Sequence, residues 1–143
     1  MENEEKLRIL QLTYAGVLAD AVLQMSRQGV LEEVTRQKKK EQMLTGRMKA
    51  EQFGIAQPKE VFLRLSEVFD CASWEIVSDS SGFSAEARAC KLCALAKKVG
   101  ALSPCGLYCL DPMEGMVKGL DAGLSFAVRD TLWDGLKCRV EVR

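Results

Sequence analysis

The chain has 143 residues, with 20 Lys and Arg balanced by 20 Asp and Glu, no histidine, and 48% hydrophobic residues. That balance excludes a disordered segment, and a net charge of zero leaves no electrostatic footprint for nucleic acid. A chain of this size buries about 68–70% of the surface that its unfolded form exposes, enough for a core without disulfides, so the six cysteines need another explanation.

The absence of histidine removes Ser-His and Cys-His dyads, imidazole metal ligands and any imidazole acid or base near neutral pH. Catalysis would have to use Cys, Asp, Glu, Lys, Tyr or a bound cofactor. The longest uncharged run, Val99 to Leu110, is too short for a bilayer and is broken by Gly100, Ser103, Pro104 and Gly106. The acidic start Met1-Glu2-Asn3-Glu4-Glu5 is unlike a secretory signal. The expectation is a cytoplasmic protein with reduced thiols and neither a membrane nor a nucleic-acid partner.

Along the chain, Leu7, Leu10, Tyr14, Val17, Leu18, Ala21, Val22 and Met25 form a broad apolar stripe at helical spacing over 6–27, ended by Gly29. Near-heptad spacing makes a homodimer through this helix possible, but packing on the domain's own sheet is the preferred reading. A second helix is expected from Val30 to Gln52, and its basic run Arg36, Lys38, Lys39 and Lys40 reads as a solvated face neutralised by Glu32, Glu33 and Glu41. A third runs from Pro58 to Phe69, with proline near its start.

From Trp74 the period changes to two. Trp74 to Val77, the turn cluster Asp79-Ser80-Ser81-Gly82, and the alternation Phe83, Ala85, Ala87, Ala89 predict a β-hairpin. Ser103-Pro104 reads as an N-cap and first-turn proline that would set Cys105 and Cys109 on one face of a short helix. Asp111-Pro112-Met113-Glu114 reads as a capping box opening a helix to Leu120. Tyr108 and Lys118 are placed to orient a carboxylate ligand, with Asp111 beside them.

A closing hairpin aligns Leu124, Phe126 and Val128 with Leu136, Cys138, Val140 and Val142 through a three-residue loop, Trp133-Asp134-Gly135. That register points Asp130 inward, opposite Cys138, where a carboxylate needs a partner or a ligand. A bulge would instead turn it to solvent. The fold class is therefore α+β: N-terminal helices packed with a small antiparallel sheet made of two hairpins and intervening helices. It forms one domain over 1–143, helical over 1–70 and cysteine-rich α+β over 71–143.

Cys90, Cys93, Cys105 and Cys109 have the spacing C-x2-C-x11-C-x3-C, which could close a tetrahedral thiolate site for zinc or an iron-sulfur cluster. The same thiols could be reactive, since Cys93 and Cys105 fall in first helical turns where the dipole favours thiolate. They could also be buried small hydrophobes, the reading given to Cys71 and Cys138.

The two strands ending at Cys90, the helix carrying Cys93, the Pro104-Cys105 to Cys109 segment, the next helix and the last strand Lys137-Cys138-Arg139-Val140-Glu141-Val142 together resemble the L-2-amino-thiazoline-4-carboxylic acid hydrolase-like family. The closing hairpin also looks like that of 4-vinyl reductase-type small-molecule-binding domains. The match covers Trp74 to Arg143 and carries over Cys90, Cys105, Cys109 and Cys138. It implies a small-molecule site between sheet and helices. If activity carries over, it implies hydrolytic opening of a cyclic amidine, with Cys105 or Cys109, or a metal-held water, attacking the C=N carbon while Asp130 or Asp111 handles protons. Three readings stay open: that hydrolase, a non-catalytic small-molecule-binding module, and a cysteine-ligated metal protein.

Overall fold

A computed structural model describes residues 1–143. Five α-helices and a four-stranded antiparallel sheet follow in the order α1 (Asn3–Arg27), α2 (Leu31–Gln52), α3 (Pro58–Phe69), β1 (Glu75–Asp79), β2 (Gly82–Ala87), α4 (Lys91–Lys98), α5 (Asp111–Leu120), β3 (Phe126–Asp130) and β4 (Cys138–Val142). One π-helical turn, Gly106–Leu110, runs directly into α5. The strand order is β1-β2-β4-β3, so the closing hairpin joins the sheet through its second strand. The α+β class and the two hairpins expected from the sequence are present.

The inner sheet face follows the period-two pattern. Phe83, Ala85 and Ala87 pair with Val142, Val140 and Cys138, and these six side chains are buried. They join α3 and α5 in one core around Phe62, which is fully buried and lies edge-on to Trp74 and Phe83, with ring centroids 5.3 and 5.8 Å away. The outer face carries an ion-pair lattice. Glu86 meets Lys137 at 3.2 Å and Arg139 at 3.7 Å, while Glu141 meets Arg129 and Arg139 at 3.1 Å each.

Helix α2 lies so close to α5 that only glycine fits at the crossing. A β-carbon at Gly46 would fall on the Gly115 carbonyl, and one at Gly115 on the Gln42 carbonyl. Backbone-to-backbone contact of this kind locks the helical half of the chain to the half that carries the sheet. Helix α1 packs Ala15, Leu18, Ala19 and Val22 inward, with α4 as its main neighbour. The expected seat of α1 on the sheet is thereby corrected. Its stripe is wider than one contact can cover, so Leu7, Leu10, Tyr14 and Val17 remain 49%, 65%, 43% and 59% exposed. Asn3–Arg27 also holds an 18-residue window long and apolar enough to cross a membrane, of which 22% is buried here. Counting uncharged runs misses it because Asp20 interrupts the run.

Three local expectations fail for identifiable reasons. Strand β2 stops at Ala87, leaving Ala89 exposed before Cys90 turns into α4. In the closing hairpin the predicted pairs Phe126–Val142 and Val128–Val140 form, but a bulge at Arg129 then sets Asp130 opposite Arg139. The loop spans 131–137 rather than three residues, Leu136 is 94% exposed, and Asp130 points to solvent. At the bulge the Arg129 guanidinium meets Glu141 on the outer face at 3.1 Å.

The third concerns Asp111-Pro112-Met113-Glu114, which does not open a helix. Leu110 and Asp111 are already helical, and no side chain caps the start. Pro112 sits inside a continuous helix because the preceding turn is π. The Asp111 N–H reaches back five residues to the Gly106 carbonyl, and in that pattern Pro112 would serve Leu107. Proline has no N–H to give. The Gln42 side-chain amide of α2 donates to the Leu107 carbonyl instead, at 3.2 Å.

Candidate small-molecule cleft and thiol cluster

The π turn that admits Pro112 also decides where the cysteines point. In a regular helix Cys105 and Cys109 would share a face, as expected from their spacing. The extra residue in the turn separates them. Cys105 Sγ lies 3.4 Å from Cys93 Sγ of α4, whereas the Cys109 thiol turns to Met113 Sδ at 4.0 Å. Cys90 is the N-cap of α4, and its sulfur accepts from the Cys93 N–H at 3.4 Å.

Cys90, Cys93 and Cys105 therefore form a row with Cys93 in the middle. The single proton on Cys93 Sγ is shared along this row and serves one neighbour at a time. A hydrogen bond from Cys93 is the first cause that lowers Cys90, to about 6, or Cys105, to about 7, and Cys93 itself is raised well above the ordinary thiol range. The backbone N–H groups of Leu92 and Cys93 at the start of α4 further favour a Cys90 thiolate, and Ser103 does the same for Cys105. Burial raises Cys109, and it lifts Cys71 and Cys138 to about 11 each.

The four sulfurs of the expected metal site do not act as one ligand set, because Cys109 turns away from the row. No group of three or more Cys, Asp or Glu side chains is arranged to hold an ion. Cys90, Cys93, Cys105, Cys109 and Cys138 do border one small void of about 20 Å³. That is about the space of a single water, so no organic ring enters between Cys105 and Cys109.

A larger cleft lies on the other side of Cys109. It measures about 360 Å³, is bounded by α1, α2, α3 and the π turn, and 15 of its 20 lining residues are hydrophobic, among them Leu65, Phe69, Trp74, Met113 and Met116. Tyr14, stacked on Phe69 with centroids 5.0 Å apart, lies on the α1 side, and Tyr108 comes from the π turn. Burial is the first cause of a raised Tyr14 hydroxyl. Two polar features stand out in this lining. Lys49 makes no ion pair with any carboxylate of the chain. Gln42, 5% exposed, spends its amide N–H on Leu107 but leaves Oε1 without a partner.

Of the ligand-contacting residues expected from the sequence, Tyr108 lines this cleft. Asp111 and Lys118 do not, because Asp111 faces Lys39 of α2 at 3.7 Å and Lys118 faces Glu114 at 3.8 Å. Asp130 lies at the far edge of the sheet in solvent. Gln42 and Lys49 were missed because each looked like one more polar residue of a solvated helix. The signal available was Pro112, whose missing N–H calls for a donor from a neighbouring helix. Comparison with protein-family models, with curated proteins and with solved structures finds no match for this chain.

Proposed function

We propose that the 360 Å³ cleft makes the chain a small-molecule-binding module and holds an apolar organic acid without transforming it. The observation that carries this reading is the pairing of an apolar lining with one orphaned buried acceptor, Gln42 Oε1. A buried amide oxygen left bare costs about 1–3 kcal/mol. A ligand hydroxyl or amide N–H seated there recovers that cost, and the unpaired Lys49 ammonium meets a carboxylate at the other end. Such clefts, mostly apolar with few convergent polar groups, are the usual form of a ligand site. The sequence resemblance to 4-vinyl reductase-type domains leads to the same reading.

Hydrolysis is the weaker fit to this geometry. No Asp or Glu lines the cleft, so an attacking Cys109 has no carboxylate base, and burial keeps its thiol protonated. The test is displacement of 1-anilinonaphthalene-8-sulfonate, an apolar anion, by a series of aromatic and medium-chain hydroxy acids. One site per chain is expected, with affinity lowered about tenfold by Lys49→Met, the equivalent of about 1.4 kcal/mol. Dye binding unchanged in a folded Leu65→Trp variant, which fills the cleft, would sink the proposal.

A further inference from the structure

The row of three thiols takes no part in the ligand chemistry just described, although Cys90 also borders the apolar cleft, and it needs its own account. Cys90 is half-buried and lines a second, open cleft of about 690 Å³ between α4 and the outer edge of β1 and β2. Arg88, Lys91 and Lys97 supply cations around this cleft, and Asp70, Glu75 and Glu86 supply carboxylates. Behind Cys90, one helical turn along, sits the buried Cys93, and behind that, at 3.4 Å, the buried Cys105. A partly accessible thiol at a helix N-cap, accepting from the N–H of a second cysteine three residues on whose own sulfur touches a third, is an arrangement for passing a disulfide inward.

We propose that Cys90, Cys93 and Cys105 form a thiol–disulfide exchange centre that reduces a small zwitterionic disulfide bound in the open cleft beside Cys90. The Cys90 thiolate attacks one sulfur of the disulfide RSSR. A Cys90–SR bond forms, the RS–SR bond breaks, and the leaving RS⁻ takes the proton from Cys93. Cys93 then attacks Cys90 Sγ and expels the second RS⁻, which is protonated by water. The protein loses two electrons and RSSR gains them as two RSH. Cys105, in contact with Cys93, then attacks Cys93 Sγ, moves the disulfide to the buried Cys93–Cys105 pair and returns Cys90 as a thiolate.

Three features support this order. Cys90 is the most accessible of the three at the open cleft, because Cys93, which also borders it, and Cys105 are buried. Cys105 Sγ already lies 3.4 Å from Cys93 Sγ, and Cys90 Sγ already accepts from the Cys93 N–H at 3.4 Å, so both partners of Cys93 are held beside it. Mixed charge around Cys90 suits a disulfide carrying both amino and carboxylate groups, and the pairs nearest the cleft, Lys91–Asp70 at 2.5 Å and Arg88–Glu86 at 3.9 Å, lie on its border.

The test uses the full chain, reduced and free of oxygen, with oxidised glutathione as the probe. The expected result is release of two glutathiones per chain, with Cys93 present in every protein disulfide found by peptide mass mapping. Cys93→Ala should stop after one release, with glutathione retained on Cys90, and Cys71→Ala should behave as the parent does. Oxidised glutathione should react at least tenfold faster than the neutral bis(2-hydroxyethyl) disulfide. A disulfide lacking Cys93, such as Cys71–Cys90, overturns the proposal, and so does a parent chain that keeps glutathione on Cys90. One tightly held zinc per chain protecting these thiols also overturns it. Mapping the parent protein decides the matter even where Cys93→Ala fails to fold.

Discussion

At the scale of single residues, what distinguishes this chain is that six thiols of one type behave in opposite ways. Cys71, Cys109 and Cys138 are raised first by burial, whereas Cys90 and Cys105 are lowered first by a hydrogen bond from Cys93. A lowered thiol stays thiolate as pH falls until its own pKa is crossed. Alkylation of Cys90 by iodoacetamide, followed peptide by peptide, should therefore be level from pH 9 down to about 7 and then fall through about pH 6. Cys71, pushed up to about 11, should still be rising at pH 9. A Cys90 rate that climbs tenfold between pH 7 and 8 would mean that the Cys93 donor is not in place. The two carboxylates expected to move protons have separate fates. Asp130 is turned out by a one-residue bulge, and Asp111 is held at Lys39 with its carboxyl raised by burial.

At the scale of elements, the contact of α2 with α5 and the π turn makes two predictions. Gly46→Ala forces a methyl into the Gly115 carbonyl and should cost at least about 1–3 kcal/mol in chemical denaturation. Gly16→Ala in α1, where nothing lies within 4 Å, should stabilise by up to about 1 kcal/mol through helix propensity alone. Equal effects would mean that the crossing is looser than described. Gln42→Met bares the Leu107 carbonyl and should cost about 1–3 kcal/mol. Adding Pro112→Ala restores a backbone donor and should recover much of that loss, so the pair should show positive coupling in a double-mutant cycle. Helices α1 to α3 were legible in the sequence because stripe, proline and glycine signals agreed there. Strands β1, β2 and β4 were legible because inward residues alternate. The π turn was not, because Ser103-Pro104 and Asp111-Pro112 each imitate a helix start, and only the contact with Gln42 makes one continuous helix the better solution. The cleft was illegible for the same reason, since its walls come from four segments far apart in sequence.

At the scale of the whole molecule, the helical half and the sheet half share one core, yet α1 holds more apolar surface than that core can use. Leu18, Ala19 and Val22 face inward, whereas Leu10 and Val17 on the same helix face solvent. A periodicity argument treats the two sets alike, because both sit on one broad stripe. Burial separates them, and so should stability. Leu18→Ala removes a side chain that packs against Leu92 of α4 and should cost about 2–5 kcal/mol. Leu10→Gln and Val17→Gln remove no buried contact, so each should change stability by no more than about 0.5 kcal/mol, the range usual for exposed positions. The measurement is urea denaturation of the three variants at two protein concentrations a hundredfold apart. The expected pattern is a large loss for Leu18→Ala and small changes for the other two, the same at both concentrations. A loss at Leu10 or Val17 that appears only at the higher concentration would show that this face of α1 is covered by another copy of the chain, and would move those residues from the surface into an interface.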